Sequence, residues 1–118
     1  MSRLRFIIAA CAVALVAAGG SSAATPKLLA HVGPDSSFKI TLTKGGKKVT
    51  KLKPGKYVIV VTDTSKLHNF HLKGPGVDKK TSVAGKATST WKVTLKKGKY
   101  TYLCDPHAAL MHGSFTVG

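Results

Sequence analysis

Acidic residues are scarce in this sequence. Its 118 residues include four aspartates and no glutamate, against 19 lysines and arginines, so the formal charge is +15. The apolar content of 43% is nevertheless too high for a disordered polyelectrolyte. A chain of this length holds one domain, which excludes a multidomain enzyme with a large buried cleft.

Long apolar runs are equally scarce, and the one present lies near the N-terminus. Residues 6–18 are apolar without interruption, follow Arg3 and Arg5, and precede small residues at 19–24. A basic start, a short apolar core and small residues predict a secretory signal. As a helix the run would be about 20 Å long, too short to cross a hydrocarbon layer of ~30 Å.

The domain organisation follows from this signal. We predict a cleavable signal peptide over residues 1–24, cut after Ala23 or Ala24, and one exported domain over residues 25–118. The mature domain is expected to act in the periplasm or outside the cell, without an integral membrane span.

Cysteine is also rare, since only Cys11 and Cys104 are present. Cys11 lies too early in the apolar run for a lipoprotein cleavage box, so the exported domain keeps Cys104 alone. An exported domain with one cysteine has no internal disulfide. The lone thiol is therefore buried and inert, paired between chains, catalytic, or bound to a metal.

The mature domain has no arginine. Its 17 lysines and four aspartates give a formal charge of +13. The lysines are scattered through the sequence without a nucleic-acid-binding module, and export argues against nucleic acid as a partner. Such a charge favours acidic protein partners or an anionic envelope surface. We expect a monomer.

Helical periodicity is absent from the mature domain, and short apolar alternations between turn signals take its place. We predict an all-β fold, a Greek-key β-sandwich or barrel of seven to eight short strands. The predicted strands include an alternating segment at Phe38, Ile40 and Leu42, a hairpin arm at 49–52, and segments at 57–62, 69–72, 88–95, 100–104 and 114–117.

Two segments carry side chains that bind metals. Residues 104–113 place the thiol of Cys104, the imidazole of His107 and the thioether of Met111 in one loop between two predicted strands. A second source of imidazole lies upstream, where His68-Asn69-Phe70-His71 stands at the start of another predicted strand. Two histidines, one cysteine and a weak methionine form the ligand set of blue-copper electron-transfer sites.

These two motifs, His68-Asn69-Phe70-His71 and Cys104-Asp105-Pro106-His107 with Met111, resemble those of the blue-copper (cupredoxin) family, which includes plastocyanin, pseudoazurin and amicyanin. The similarity extends over nearly all of the mature domain. The resemblance implies one copper ion in a type 1 site, with His68, Cys104 and His107 as ligands and Met111 as the axial ligand. It also implies that the backbone N–H of Asn69 donates to the Cys104 sulfur.

Some alternatives and departures remain at this point. His71 has an odd offset from His68 and should face the other way, and His112 replaces Met111 only if the loop shifts. Zinc suits two histidines and a cysteine but gives no redox chemistry. Asp105 follows the cysteine where relatives often have Ser or Thr, so we expect Asn69 to hold the loop by a different hydrogen bond.

The sequence thus predicts a small exported blue-copper protein that carries one electron at a time, with copper cycling between Cu(I) and Cu(II), and that is not an enzyme. Its expected partner is a redox protein with an acidic surface. The first alternative is a copper-binding module that sequesters or delivers the metal without redox shuttling. The second is a cationic adhesion domain in which the site is incidental.

Overall fold

A computed structural model describes residues 24–34 and 37–118 of the chain. The predicted signal peptide lies outside these residues except for its last one, Ala24. Among the described residues, no helix is both long and apolar enough to cross a membrane. The regular structure of the described chain is almost entirely β-strand, with a short 3₁₀ turn at Asp105–His107.

Ten strands are found in the described residues, and they form two five-stranded sheets. The first sheet has the order β3-β2-β1-β5-β8, and the second has the order β4-β10-β9-β6-β7. The strands are β1 (Lys27–Val32), β2 (Ile40–Lys44), β3 (Lys47–Lys48), β4 (Lys51–Leu52), β5 (Gly55–Asp63), β6 (His71–Gly74), β7 (Val77–Lys80), β8 (Ala87–Leu95), β9 (Gly98–Leu103) and β10 (His112–Val117).

Alternation along the strands places one face of each sheet in the core. In β5 every second residue from Tyr57 to Asp63 is buried, and β1 shows the same period. Aromatic rings fill the second sheet's side of the core: the rings of Tyr100 and Phe115 stack with centroids 5.2 Å apart. Gly74 allows the Tyr100 ring to lie directly against the backbone, because a Cβ at that position would overlap the ring.

The predicted fold class is confirmed, and the strand count rises to ten because β1, the two-residue β3 and β7 add to the seven predicted segments. The sandwich is mixed rather than purely antiparallel, since β1 pairs parallel with β5 and β10 pairs parallel with β4. β1 and β7 are strands that the sequence did not indicate.

Three predicted strand boundaries were wrong. Residues 49–52 are not the second arm of a hairpin, because β4 leaves the first sheet and pairs with β10 in the second. Phe38 is not part of a strand, because β2 begins at Ile40, and its side chain is 54% exposed. Asn69 and Phe70 precede β6, which begins at His71.

The strands define two ends of the sandwich. One end carries the segments after β1, β5 and β9, so it holds residues 64–70 and 104–111. The other end carries the turns β2–β3, β4–β5, β6–β7 and β8–β9. The predicted metal ligands therefore all lie at the first end.

Candidate metal centre

The Cys104 loop is held closed by its own backbone. Cys104 follows β9 directly, and its N–H donates to the carbonyl of Met111 at 3.0 Å. The His107 N–H donates to the Cys104 carbonyl at 3.0 Å, and the Met111 N–H donates to the His107 carbonyl at 2.8 Å. Because Pro106 fixes the first turn of this 3₁₀ segment, three side chains of the loop have set positions relative to one another.

His68, Cys104 and His107 meet at one point, although His68 comes from the loop between β5 and β6. The two Nδ1 atoms lie 3.0 Å apart, and the Cys104 Sγ lies 3.7 Å from Nδ1 of His68 and 3.6 Å from Nδ1 of His107. A triangle of this size is what donors about 2.0–2.3 Å from one shared ion would form. The three side chains are the one such cluster found in the part of the chain that the structure describes.

Burial separates the two histidines. His68 is 1% exposed and Cys104 is fully buried, whereas His107 is partly exposed. Gly33, with φ of +63°, lies against His68, and a Cβ at that position would stand 2.7 Å from the His68 Cδ2. Glycine at position 33 therefore leaves the room that the His68 ring occupies.

Met111 is fully buried, and its carbonyl accepts the hydrogen bond from the Cys104 N–H. His112, the alternative to Met111, is exposed, and its Nδ1 donates to the carbonyl of Ala108 at 2.9 Å. His71 lies outside the cluster, but the predicted offset does not explain this, because β6 begins at His71 and His68 precedes the strand. The structure therefore leaves His71 and His112 out of the cluster.

The sulfur of Cys104 receives one backbone hydrogen bond. The N–H of Asn69 points at Sγ with a nitrogen-to-sulfur distance of 3.5 Å. Pro106, two residues after Cys104, has no N–H, so it supplies no second hydrogen-bond donor to the sulfur. A hydrogen bond to sulfur stabilises the thiolate form, which is the form that binds metals.

Asn69 and Asp105 form a two-bond clamp between the two ligand-bearing loops. The Nδ2 of Asn69 donates to Oδ2 of Asp105 at 2.7 Å, and the N–H of Asp105 donates to Oδ1 of Asn69 at 2.8 Å. Nδ2 also donates to the carbonyl of Thr81 at 3.2 Å. The clamp is the different hydrogen bond expected from the acid at position 105.

His71 extends this clamp on the outer face of the second sheet. Its Nδ1 lies 2.8 Å from Oδ1 of Asp105, and its Nε2 lies 2.5 Å from Oδ1 of Asp78. An ionised carboxylate only accepts hydrogen bonds, so a ring nitrogen that carries a proton donates to the carboxylate it faces. No sequence pattern indicates this arrangement, since Asp78 lies on β7 and Asp105 follows β9, the two strands that pair with β6.

Both carboxyl groups titrate below the usual range. The hydrogen bond from His71 lowers the pKa of Asp78. Partial burial tends to raise the pKa of Asp105, but the hydrogen bonds from His71 and Asn69 outweigh it, and the pKa is lowered. The two aspartates are therefore ionised acceptors at neutral pH.

Phe38 covers the histidines from the solvent side. Its ring meets His68 edge-on at a centroid distance of 5.2 Å and His107 at 5.0 Å. Leu67 and Leu110 are 66% and 73% exposed, and both belong to the ligand-bearing loops. Three of the four large exposed apolar side chains of the described residues thus lie at this end. The sequence analysis did not identify Phe38 as part of the site, because its position continues the apolar alternation of Ile40 and Leu42.

The donor set fits copper. A thiolate is a soft ligand that favours Cu(I), imidazole serves both oxidation states, and a buried methionine is the weak axial ligand of blue-copper sites. The Nδ1 lone pairs of His68 and His107 converge at 3.0 Å, a contact that a shared cation would satisfy.

Comparison with known proteins gives one family and one fold. A family model described as copper binding proteins of the plastocyanin/azurin family matches residues 35–118. No curated protein matches the chain in sequence.

Solved structures with the same fold include rusticyanins. A 2.1 Å rusticyanin structure has a TM-score of 0.61 at 19% identity, covering 80% of this chain and 78% of that one. Rusticyanin from Thiobacillus ferrooxidans has a TM-score of 0.55 at 23% identity, covering 80% and 77%. A chain of a heme-copper terminal oxidase dimer has a TM-score of 0.54 at 19% identity, covering 78% and 63%.

Proposed function

The chain belongs to the plastocyanin/azurin family of copper-binding proteins, and we propose that it is a one-electron carrier rather than an enzyme. In this proposal one copper ion is held by His68, Cys104 and His107, with Met111 as the axial ligand. When bound, copper supplies one-electron chemistry by alternating between Cu(I) and Cu(II).

The observation that carries the proposal is the triangle of donor atoms. Its edges of 3.0, 3.6 and 3.7 Å join two imidazole nitrogens and one thiol sulfur, and two of its three side chains are buried. Fixed, buried donors limit the rearrangement that follows a change of charge. A site that rearranges little is suited to repeated electron exchange.

The surrounding residues hold the donors in place. The Asn69 N–H donates to the sulfur, and the Asn69–Asp105 clamp joins the loop of His68 to the loop of Cys104. The bond from Asn69 Nδ2 to the Asp105 carboxylate is a hydrogen bond to a charged group, a kind that contributes about 1.5–3 kcal/mol. The clamp therefore resists separation of the two loops when a ligand is lost.

His107 is the route by which an electron would leave or enter. It is the partly exposed member of the triangle, whereas His68 is sealed beneath Phe38 and Gly33. The exposed apolar side chains around it allow a partner to approach closely with little desolvation cost, and small weak interfaces suit redox encounters. We expect the partner to be a redox protein that contacts this end.

The same proposal includes export. Residues 1–24 have the pattern of a cleavable signal, and the first described strand begins after them at Lys27. A working place in the periplasm or outside the cell agrees with a domain that carries one buried thiol and no internal disulfide. The mass of the purified protein tests this point, because cleavage after Ala23 or Ala24 removes a defined segment.

The visible absorption spectrum during copper addition tests the central assignment. We expect an intense charge-transfer band from the Cys104 thiolate, which bleaches on reduction and returns on reoxidation. Cys104→Ser should lack this band when copper is added and should keep the circular dichroism spectrum of a β-sheet protein. His112→Ala is the matched control and should keep the band, because His112 is exposed and lies outside the donor triangle.

Two outcomes would contradict the proposal. A wild-type protein that binds copper without the band is not a blue-copper protein. A band that appears but cannot be cycled through reduction and reoxidation would favour the alternative function, in which the domain sequesters or delivers copper.

A further inference from the structure

Lysine is concentrated at the end of the sandwich opposite the donor triangle. The turns β2–β3, β4–β5 and β8–β9, with the strand residues next to them, carry many exposed lysines. We call eight of these the lysine pole: Lys44, Lys47, Lys51, Lys53, Lys56, Lys96, Lys97 and Lys99. Both sheets contribute to it. The turns meet in space, since Gly118 bonds to the Leu52 carbonyl and lies beside Lys97.

Acidic residues are absent from this pole. Among the described residues, Asp63 and Asp105 lie at the metal end, and Asp78 lies on β7 against His71. An open groove of about 530 Å³ between the turns is lined by Lys44, Lys51, Lys53 and Lys56. The pole is therefore a patch of one sign with no internal ion pairs to neutralise it.

The pole acts separately from the metal end. The nine residues of β5 run from one end of the sandwich to the other, a distance of roughly 26 Å at the usual strand rise. Exposed charges are screened beyond ~8 Å at physiological ionic strength. A charged surface that meets the pole thus interacts with its lysines and not with the aspartates at the metal end.

The chain also enters the domain at this pole. Pro26 lines the same groove as Lys53 and Lys56, and its carbonyl accepts a hydrogen bond from the Val58 N–H at 2.9 Å. Ala24, the first described residue, is exposed. The apolar run at residues 6–18 precedes this point in the chain. The segment that carries the predicted signal is therefore joined to the domain at the lysine pole.

We propose that the lysine pole docks the domain on the anionic headgroup surface of a lipid bilayer. Lysine presents a compact charge on a long flexible stem, without the fixed fork of arginine that shaped anion sites use. Eight such stems spread over three turns match a fluid array of anionic headgroups, to which each lysine near the surface adds roughly fivefold in affinity. Docked in this way, the protein presents His107 and its apolar surroundings to the aqueous side.

Partitioning into vesicles tests the docking. The protein, purified as cells process it, is sedimented with vesicles of phosphatidylcholine alone and with vesicles of phosphatidylcholine and phosphatidylglycerol in equal parts. The readout is the ratio of the partition coefficients for the two kinds of vesicle. If an uncleaved N-terminal apolar run inserts into the lipid, it does so in both kinds of vesicle, so its contribution cancels in the ratio. We expect the ratio to exceed ten for the wild type and to fall as salt rises. A ratio of about ten needs only a small part of the affinity that all eight lysines together would add.

Two triple variants with the same net charge locate the surface. Lys44→Gln, Lys53→Gln and Lys97→Gln together remove three lysines of the pole and should lower the ratio about 100-fold, or to unity if it starts lower. Lys39→Gln, Lys66→Gln and Lys86→Gln together remove three exposed lysines elsewhere and should change it less than about threefold, because they lie beyond the screening length. Circular dichroism confirms that both variants fold.

Three results would overturn the proposal. The first is a ratio near one for the wild type at physiological salt. The second is an equal loss in both variants, which would mean that only net charge matters. The third is complete transfer of the protein from vesicles to an equal charge concentration of dextran sulfate, which would assign the pole to a polysaccharide. None of them depends on copper, so the proposed electron transfer can fail or hold independently.

Discussion

Asn69 and Asp105 bond each other twice, side chain to side chain at 2.7 Å and backbone to side chain at 2.8 Å. This pair joins the segment that carries His68 to the loop that carries Cys104. The same asparagine directs its own backbone N–H at the Cys104 sulfur. One residue therefore sets both the spacing of the two ligand segments and the hydrogen bonding of the thiolate.

Removing the clamp should loosen the site. In Asn69→Ala the Asp105 N–H and a carboxylate oxygen lose their partners, which should lower the free energy of unfolding of the metal-free protein by about 3 kcal/mol. Copper affinity should fall about 10–100-fold, as it does when groups that orient metal ligands are removed. Chemical denaturation and competition with a chelator measure the two effects.

Ser65→Ala is the control for the clamp. Ser65 lies in the same loop and accepts a hydrogen bond from the Leu67 N–H, but it makes no contact with Asp105. Its loss should cost about 1 kcal/mol at most and leave copper affinity unchanged. If Asn69→Ala and Ser65→Ala have the same copper affinity, the clamp does not position the ligands.

The donor triangle could be predicted from sequence, but its surroundings could not. Cys104, His107 and Met111 fall within eight residues of one loop, so their proximity is local, and only His68 had to be brought from another segment. The pairing of His71 with Asp78 and Asp105 depends on the register of β6 with two neighbours, which no local pattern encodes. Phe38 follows the alternation of β2 although the strand begins two residues later.

The fold divides in the same way. β5 contains a continuous apolar run and β8 a long alternating pattern, and the structure finds both strands within two residues of the predicted bounds. The segment at 49–52 was predicted as a hairpin arm, yet β4 pairs with β10, more than 60 residues away. Alternation tells which face a residue occupies, but the choice of partner strand is a property of the whole sandwich.

Phe38 should slow the loss of copper. Its ring makes edge contacts with both His68 and His107, and such aromatic pairs contribute about 0.5–1.5 kcal/mol. Phe38→Ala should therefore speed copper transfer to a chelator about fivefold to tenfold. The melting temperature should change little, because the ring is 54% exposed. Leu29→Ala, at an exposed position on β1, should leave the transfer rate unchanged; a similar acceleration there would contradict the covering role of Phe38.

Met111 should tune the reduction potential more than it holds the metal. Met111→Leu keeps the buried volume and removes the thioether, a weak donor to the oxidised ion. Copper and the charge-transfer band should remain, and the potential should rise in a spectroelectrochemical titration. His112→Leu is the control and should leave the potential unchanged. An unchanged potential in Met111→Leu would mean that Met111 is a core residue only.

Asp63 should make stability depend on pH in a direction opposite to Asp78. Burial raises the pKa of Asp63 above its usual value, with the Ser65 N–H and His68 acting against it, and Oδ2 has no hydrogen-bond partner among the described residues. The folded chain then holds this proton more tightly than the unfolded chain, so the contribution of Asp63 to stability falls as pH rises through that range. Asp63→Asn should gain stability relative to wild type between pH 3 and pH 7.

Asp78→Asn should change the pH dependence of stability in the opposite direction. The hydrogen bond from His71 lowers the pKa of Asp78, so its contribution is present above the unfolded pKa and lost in acid. Relative to wild type, this variant should lose stability between pH 3 and pH 7. Denaturant unfolding of the metal-free proteins at several pH values measures both differences, and parallel trends for the two variants would contradict the assignment.

The apolar surface around His107 should govern the rate of electron exchange. Leu110 is 73% exposed and Ala109 is exposed beside it, in the loop that holds the partly exposed His107. A charge placed here must be desolvated when a partner docks, whichever sign it has. Both Leu110→Lys and Ala109→Glu should therefore slow electron transfer to the physiological partner, and self-exchange between two copies, by about tenfold, the equivalent of 1.4 kcal/mol. The absorption spectrum and reduction potential should stay unchanged.

Thr90→Lys, an exposed position on β8, matches the charge change of Leu110→Lys and should leave the rate unaltered. If the two loop variants shift the rate in opposite directions, charge steering rather than close apolar contact controls docking; if both react at the wild-type rate, the electron does not pass through this surface.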